Sequence, residues 1–299
     1  MKVDVIGIEA AKSGSSWLSY LLEQHPEVNM SSRKEVAYFN EYHFHGEANE
    51  AAQFDLDYYH QFWNFQSGKK HVEFSPQYLF AKGTAEKIHS YNPHAKLLVA
   101  LRDPVKRAHS HFKYDQGFNQ LIAKDLSFKA ALQKHDYLKV AGNYAAQLKP
   151  YFELFPREQI KVFILEHAIE NPHETVQELY KFVGVDPDFC PDISAVNESK
   201  AIADNWKSKL VQIPSKIKQG LEKSSPVFRK VLSPLKKTPW YIQLVEKKTK
   251  MLESQTVPVE KGSVPSEVAK DLFHYYEKDV ADLEELLGLE LKTWKAYNF

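Results

Sequence analysis

The chain has 299 residues with 39 basic and 39 acidic side chains, so its formal net charge is zero. A chain of this length can bury a large core, and 43% hydrophobic with 26% charged residues is ordinary for a globular protein. The single cysteine, Cys190, excludes an internal disulfide and a Cys-based zinc site. There is no leader-like apolar segment and no apolar run of about 18 residues, so we expect a cytoplasmic protein without a membrane span.

Strands and helices alternate along most of the chain. The hydrophobic pattern predicts strands over residues 3–8, 71–74, 96–101 and 159–165. It predicts helices over residues 17–24, 84–91, 128–135, 144–155, 172–183 and 265–287, with another beginning at Pro104. This alternation predicts an α/β fold with a central parallel sheet, flanking helices, and ligands bound at the carboxyl ends of the strands.

A basic segment interrupts this pattern near the end of the chain. Residues 207–250 contain twelve Lys or Arg against two Glu, whereas residues 251–299 contain five Lys against ten acidic residues. Leu210, Ile213 and Ile217 recur at helical spacing, and a similar pattern resumes at Phe228. We therefore predict one domain over residues 1–299 with a basic helical insertion at about 205–252. These helices either pack on the domain or form a lid that contacts a membrane surface.

The loop after the first predicted strand has the composition of an anion-binding site. Residues 11–17 read AKSGSSW, in which small residues let backbone N–H groups surround an anion and Lys12 adds a positive charge. The GxxxxGK[ST] pattern of nucleotide triphosphatases is absent. The structural alternative is a tight strand-to-helix turn with a capping serine.

KSGSSW resembles the KSGTTW loop of sulfotransferases that use 3′-phosphoadenosine 5′-phosphosulfate (PAPS) and release 3′-phosphoadenosine 5′-phosphate (PAP). In that family the loop wraps the 5′-phosphosulfate. The resemblance implies that the whole loop binds the cofactor, through Lys12, Ser13, Gly14, Ser15, Ser16 and Trp17.

A second segment resembles the carbohydrate, or heparan-type, branch of the family. Residues 34–40, KEVAYFN, resemble its KE-x-x-(F/Y)-F-(D/N) pattern, in which the glutamate is the general base. The resemblance implies that Glu35 takes the acceptor proton and that Lys12 is the other catalytic residue, on the leaving phosphate oxygen. Glu9 and His71 are the alternative bases, although a carboxylate at Glu9 would repel phosphosulfate unless it points away, and His71 is expected to face solvent.

Two further motifs follow in the family's order. Residues 73–78, EFSPQY, resemble E-K-S-P-x-Y, with Phe74 in place of a lysine that lies near the transferring group in relatives. Residues 102–112, RDPVKRAHSHF, resemble R-(D/N/E)-P-x-x-R-A-x-S-x-(Y/F), which implies that Arg102 and Ser110 bind the 3′-phosphate. The planar fork of arginine suits phosphate, while helix capping alone is the structural alternative. Lys261 begins a segment similar to the late K-G-R loop, with Ser263 in place of arginine, and is the last implied cofactor residue.

These resemblances imply a P-loop-like sulfotransferase fold and an enzyme of the EC 2.8.2 type. It would move a sulfuryl group from PAPS to an acceptor hydroxyl, less readily an amine, by in-line displacement without a metal. Phe74 favours a lipid-like or sterol-like acceptor over a carbohydrate, and no nucleic acid is expected. The pairs His43–His45 and His109–His111 lack further ligands at a recognisable spacing. The alternatives are a phosphate-loop nucleotide kinase and an inactive PAP-binding module.

Overall fold

A sheet of five parallel strands lies at the centre of the fold, in the order β2-β3-β1-β4-β5. The computed structural model describes residues 1–193, 200–202, 247, 256–258 and 263–295. The strands are β1 (Val5–Gly7), β2 (Val28–Met30), β3 (Lys70–Phe74), β4 (Lys96–Leu101) and β5 (Ile160–Ile164). The predicted α/β class with a central parallel sheet is confirmed, and four of the five strands were expected.

Helices connect the strands and cover both faces of the sheet. In chain order they are α1 (Ser15–Glu23), α2 (Leu56–His60), α3 (Thr84–Tyr91), α4 (Pro104–Gly117), α5 (Phe128–Lys134), α6 (Tyr137–Val140), α7 (Tyr144–Leu154), α8 (Leu165–Glu170), α9 (Pro172–Val183), α10 (Ser266–Leu287) and α11 (Lys292–Lys295). Short 3-10 helices occur at Glu50–Gln53 and Arg157–Gln159. The bounds of α3, β4 and α9 match the predictions, whereas β2 and the short helices α2, α6, α8 and α11 were not predicted.

The carboxyl end of β1 lies between the ends of its two neighbours. In the parallel ladder Gly7 is opposite Phe74 of β3 on one side and Leu98 of β4 on the other. The loops that follow β1, β3 and β4 therefore leave the sheet at one edge. The KSGSSW motif lies after β1, the RDPVKRAHSHF motif begins directly after β4, and the EFSPQY motif begins in the last two residues of β3 and continues into the loop.

Gly7 is the point at which β1 and β3 approach most tightly. The ring of Phe74 is 4% exposed and belongs to a hydrophobic core formed by one face of the sheet with α1 and α9. A Cβ atom added to Gly7 would lie 2.2 Å from Cδ1 of Phe74. The position therefore has no room for a side chain, because non-bonded carbon atoms do not approach each other this closely.

Gly7→Ala should lower the free energy of unfolding by about 1–3 kcal/mol, because the added methyl group overpacks the core against Phe74. Chemical denaturation of the variant measures the loss. In the double variant Gly7→Ala/Phe74→Leu the ring is gone, so part of the stability should return. An unchanged free energy in the single variant would contradict this packing.

The chain forms two compact units. The first comprises Met1–Phe112, Asp125–Asn197 and Gly262–Phe299 and contains the parallel sheet. The second comprises Lys113–Lys124 and Glu198–Lys261. Its described part includes a two-stranded antiparallel sheet of β6 (Lys200–Ile202) and β7 (Thr256–Pro258), with Ile202 opposite Thr256. The predicted basic helices at about 205–252 fall almost entirely outside the described residues, as does Lys261, so both remain predictions.

Candidate active site

The loop between β1 and α1 contains two residues in the left-handed backbone region. Lys12 has a φ of 69° and Gly14 a φ of 100°. Gly14 adopts this region without cost, whereas a side-chain-bearing residue such as Lys12 pays about 1–2 kcal/mol. Strain of this kind persists only where the surrounding structure imposes it. A backbone that alternates between left- and right-handed residues can gather its N–H groups into a concavity that binds an anion.

The N–H groups of this loop divide into two sets. Ser13 and Trp17 donate theirs to carbonyls of the loop itself, at 3.2 Å and 2.9 Å. Within the described part of the chain, no backbone carbonyl accepts from the N–H groups of Gly14, Ser15 and Ser16 at the start of α1. These three groups, together with the helix dipole, form the anion-binding end of the loop.

Trp17 differs from Gly14, Ser15 and Ser16, and its predicted contact with the cofactor stays a prediction. Its N–H donates to the carbonyl of Gly14, and its side chain is 1% exposed in the hydrophobic core. Ser13 differs, because its buried hydroxyl has no hydrogen-bond partner within the described residues. A buried hydroxyl without a partner beside free N–H groups fits an anion ligand.

The residue that follows β4 contacts the same loop. Arg102 directly follows β4, and its Nη1 donates to the carbonyl oxygen of Lys12 at 3.4 Å. His111 of α4 is 4% exposed, and burial lowers its pKa well below the usual value, with the charges of Arg107 and Lys12 acting in the same direction. Because arginine only donates, the 3.2 Å contact from Nη1 of Arg107 identifies Nδ1 of His111 as the acceptor in a neutral ring.

The charge of Lys12 thus acts on His111, which the sequence analysis treated as an ordinary histidine. Its position one residue after Ser110 on α4 was the available signal, because α4 begins immediately after Arg102 at the site's edge. Ser110 itself lies on α4 and is half-buried.

The other residues of the RDP motif cap α4. Oδ1 of the fully buried Asp103 accepts from the N–H groups of Val105 and Lys106 at 2.9 Å and 3.2 Å, and Pro104 is the first residue of the helix. The capping interpretation is therefore correct for Asp103 and Pro104. Arg102 precedes the cap and contacts the loop instead.

The segment that carries Glu35 adjoins the first turn of α1. Nζ of Lys34 donates to Oγ of Ser16 at 3.1 Å. Glu35 is exposed, and its φ of 58° places it in the left-handed region, as does the φ of 54° at Ala37. The structure thus brings the segment of the exposed Glu35 and the anion-binding loop between β1 and α1 to one edge of the sheet.

Side chains of the EFSPQY motif support this strained segment. The N–H of Ala37 donates to Oγ of Ser75 at 3.0 Å, and the N–H of Tyr38 donates to the Tyr78 hydroxyl at 2.8 Å. The side-chain amide of Asn49 also donates to the carbonyl of Ala37. The EFSPQY motif therefore fixes the backbone next to Glu35, a role that the sequence did not reveal.

The sequence suggested that Phe74 makes the active site more apolar, but the structure does not place its ring there. Its ring packs in the core over Gly7. His71 is also excluded as a base near the loop, because it is the second residue of β3, away from the carboxyl end. His71 is buried rather than solvent-facing; its Nε2 accepts from the N–H of Gln66, and its Nδ1 contacts Asp4 at 3.1 Å.

Glu73 is a second buried carboxyl group, on the opposite face of β3 from Phe74. Burial raises its pKa to about 8, while the hydroxyls of Tyr78 and Tyr59 oppose the rise. Neither carboxyl oxygen makes a hydrogen bond of ordinary geometry within the described residues. Glu73 is therefore largely protonated at neutral pH, and it interacts with Tyr59 and Tyr78 as a neutral acid.

Glu73→Gln should remove one component of the pH dependence of stability. The folded protein holds the Glu73 proton up to about pH 8, whereas an unfolded chain releases it near 4.5. Between these values the folded state binds more protons, so this residue lowers stability as pH rises. The melting temperature of Glu73→Gln relative to wild type should increase across that range, as calorimetry can measure. Parallel melting curves at all pH values would contradict the assignment.

Glu9 lies at the base of the loop and is fully buried. Burial raises its pKa well above the usual value, the charge of Glu35 adds to the rise, and the Ser15 hydroxyl and Lys34 oppose it. Complete burial therefore favours the protonated form of Glu9, because an ion without a paired countercharge is costly to bury. In that form Glu9 would not repel an anion in the way that the sequence analysis expected of a carboxylate.

Among the described residues, no three His, Cys, Asp or Glu side chains form a group that could hold a metal ion. Nor does any helix in the described ranges have the length and apolarity needed to cross a membrane.

A family described as "Sulfotransferase domain" matches residues 2–254 of the chain. Among solved structures, a sulfotransferase from Alicyclobacillus acidocaldarius superposes with a TM-score of 0.67 at 23% identity, covering 99% of this chain and 100% of that one. This likeness confirms the predicted sulfotransferase fold.

Curated relatives match over shorter regions. The membrane-associated sulfotransferase kil1 of Dictyostelium discoideum is 32% identical over 109 residues, covering 36% of this chain and 22% of the relative. The bifunctional heparan sulfate N-deacetylase/N-sulfotransferase of Drosophila melanogaster is 25% identical over 206 residues, covering 59% and 19%. Carbohydrate sulfotransferase 15 of Rattus norvegicus is 28% identical over 127 residues, covering 35% and 23%. The chain spans about one fifth of the length of these relatives.

The prediction of a cytoplasmic protein is wrong in the light of these relatives, one of which is described as membrane-associated. The prediction rested on the lack of a leader or apolar span in this sequence. Such a lack does not assign a compartment, because the matched regions cover only 22% and 19% of these two relatives, and the rest of each relative is not matched by this chain.

Proposed function

Because the chain belongs to the sulfotransferase domain family, we propose that it transfers a sulfuryl group from PAPS to an acceptor hydroxyl. One observation carries the proposal. The free N–H groups of Gly14, Ser15 and Ser16 lie in a loop that Arg102 contacts from one side and Lys34, beside Glu35, contacts from the other. An anion site and an exposed carboxylate thus share one edge of the sheet.

Within this site the chain's residues neutralise charge and fix position. The free N–H groups and the buried Ser13 hydroxyl hold the 5′ phosphosulfate end, and Lys12 stabilises the negative charge that grows on the leaving oxygen. Arg102 and Ser110 hold the 3′-phosphate, which fixes the donor for in-line attack. Glu35, which is exposed to an incoming acceptor, takes its proton.

A carbohydrate hydroxyl is the acceptor that we favour. Phe74 gave the sequence-based argument for a lipid-like or sterol-like acceptor, and its burial under the loop removes that argument. The relatives described as acting on heparan sulfate and carbohydrate support a sugar. Contact of the basic segment with a membrane surface stays a prediction, because that segment lies outside the described residues.

Sulfuryl transfer also accounts for the chain better than the two alternatives. A phosphate-loop kinase requires the GK[ST] signature that this loop lacks, and the family match is to sulfotransferases. An inactive PAP-binding module has no need for an exposed carboxylate on a strained backbone beside the anion site. A turnover measurement separates this last alternative from an enzyme.

The decisive experiment is a screen with ³⁵S-labelled PAPS against sugars, sterols or lipids, and phenols. The proposed function predicts label transfer to a sugar hydroxyl, with stoichiometric release of PAP. Transfer to sterols or phenols alone would keep the enzyme class and overturn the acceptor. No transfer from PAPS that the protein binds would favour the inactive module.

Arg102→Ala should weaken PAP binding by roughly 10- to 100-fold, the cost of losing a charge-assisted phosphate contact of about 1.5–3 kcal/mol. Calorimetry with PAP and with 5′-AMP provides the matched control, because 5′-AMP lacks the 3′-phosphate. Wild type should prefer PAP, and the variant should bind the two ligands almost equally. Undiminished PAP affinity in Arg102→Ala would show that Arg102 does not bind the 3′-phosphate.

A further inference from the structure

Glu9 is a buried acid whose two oxygen atoms make no hydrogen bond of ordinary geometry within the described residues. The chain continues beside β4 after β1, because Ile8 and Ala10 donate their N–H groups to carbonyls of Leu98 and Ala100 at 2.9 Å and 3.2 Å. Side chains alternate along an extended segment, so Glu9 points to the same face as Gly7, toward α1. Its carboxyl group is therefore enclosed beneath the anion-binding loop.

Residues of two elements act on this carboxyl group. The hydroxyl of Ser15, in the first turn of α1, interacts with it directly, and the charges of Lys34 and Glu35 in the neighbouring segment act on it electrostatically. Ser15 also supplies one of the three free N–H groups of the loop. Glu9 is thus linked to the anion site through a single residue that contributes both a backbone and a side-chain donor.

We propose that Glu9 is a positioning residue that acts as a neutral acid, donating its proton to Oγ of Ser15 so that the Ser15 hydroxyl donates in turn to the bound anion. The argument follows from hydrogen-bond direction. A hydroxyl group has one proton to donate. A neighbouring carboxylate would accept the hydrogen bond from it, which would leave only the lone pairs of Ser15 for the anion. A neutral acid reverses this direction and leaves the Ser15 proton for the ligand.

The empty hydrogen-bonding capacity of Glu9 fits this role. A buried carboxyl group with no partner is unfavourable, and closing the bond to Ser15 when an anion binds removes the penalty. Binding sites commonly have long or poorly aligned contacts before their ligand arrives. The strong burial of Glu9 and the nearby Glu35 charge favour the protonated form that the proposal requires.

The inference rests on the proposed function for the identity of the anion, and it makes Glu9 a positioning group rather than the base. Glu9→Gln separates these roles, because the amide N–H₂ also donates to Oγ of Ser15 but cannot take a proton. We expect Glu9→Gln to keep PAP affinity and kcat within about twofold at neutral pH. Ser15→Ala should lose at least tenfold in PAP affinity, and Glu23→Gln, an exposed glutamate at the far end of α1, should change neither quantity.

A direct readout is carboxyl ¹³C NMR of glutamate-labelled protein, with the Glu9 signal assigned by its loss in Glu9→Gln. We expect a protonated Glu9 at neutral pH in the free protein and with PAP bound. As pH rises, any ionisation of Glu9 should be accompanied by a fall in wild-type PAP affinity relative to Glu9→Gln. An ionised Glu9 in the PAP complex, or a collapse of kcat in Glu9→Gln, would overturn the proposal. Wild type that fails to bind PAP would instead overturn the proposed function, while the free-protein signal still reports on Glu9.

Discussion

Glu35→Gln should lower turnover by about 10²–10⁴-fold while PAPS and PAP bind as tightly as they do to wild type. The amide preserves the size of the side chain but cannot accept the acceptor's proton, and general-base catalysis contributes about this much. The exposed position of Glu35 beside the loop, on a backbone held by Ser75 and Tyr78, is what the role requires. Steady-state kinetics with a hydroxyl acceptor and calorimetry with PAP measure the two quantities separately.

Glu41→Gln is the matched control for this experiment. Glu41 is another exposed glutamate a few residues further along the chain, but its carboxylate pairs with Nζ of Lys87 at 2.8 Å. Its substitution should leave turnover unchanged. If Glu35→Gln turns over an alcohol acceptor at the wild-type rate, Glu35 is not the base.

Lys12→Ala should lower the rate of transfer by about 10²–10³-fold with a smaller loss of PAP affinity. Its ammonium group stabilises charge that grows only during transfer, and losing such a contact typically costs this much. Alanine adopts the left-handed backbone at residue 12 no less readily than lysine. Single-turnover kinetics with saturating PAPS isolates the transfer step.

Lys12→Arg provides the conservative comparison, because it keeps the charge and changes the shape of the donor. It should recover part of the rate that Lys12→Ala loses. Equal losses in PAP affinity and in rate for Lys12→Ala would instead make Lys12 a ground-state binding residue.

The sequence predicted the fold where local signals were strong. The KLLVAL run gave β4 with its correct bounds, because buried parallel strands are continuously apolar. The capping residues around Pro104 and Pro172 placed the starts of α4 and α9 correctly. β2 was missed because three residues, Val28–Met30, are too few to show a period, and its place in the sheet is set by pairing with β3.

The site was predicted less completely, because its contacts join residues that are distant in sequence. Lys12, Arg102 and the Lys34–Glu35 pair could be found from motifs, and the structure brings them to one edge of the sheet. The support that Tyr78 gives to this segment depends on tertiary packing. Tertiary packing also causes the complete burial of Glu9, which favours its protonated form, and the action of the Lys12 charge on His111.

Calorimetric titration of the wild-type protein with PAP in the presence of EDTA tests the central claim most directly. A sulfuryl-transfer site built from backbone N–H groups, Lys12 and Arg102 should bind PAP without a divalent cation, and at least tenfold more tightly than ATP or 5′-AMP. ATP binding that requires magnesium, with no detectable binding of PAP in EDTA, would contradict the claim and identify the loop as the site of a different nucleotide.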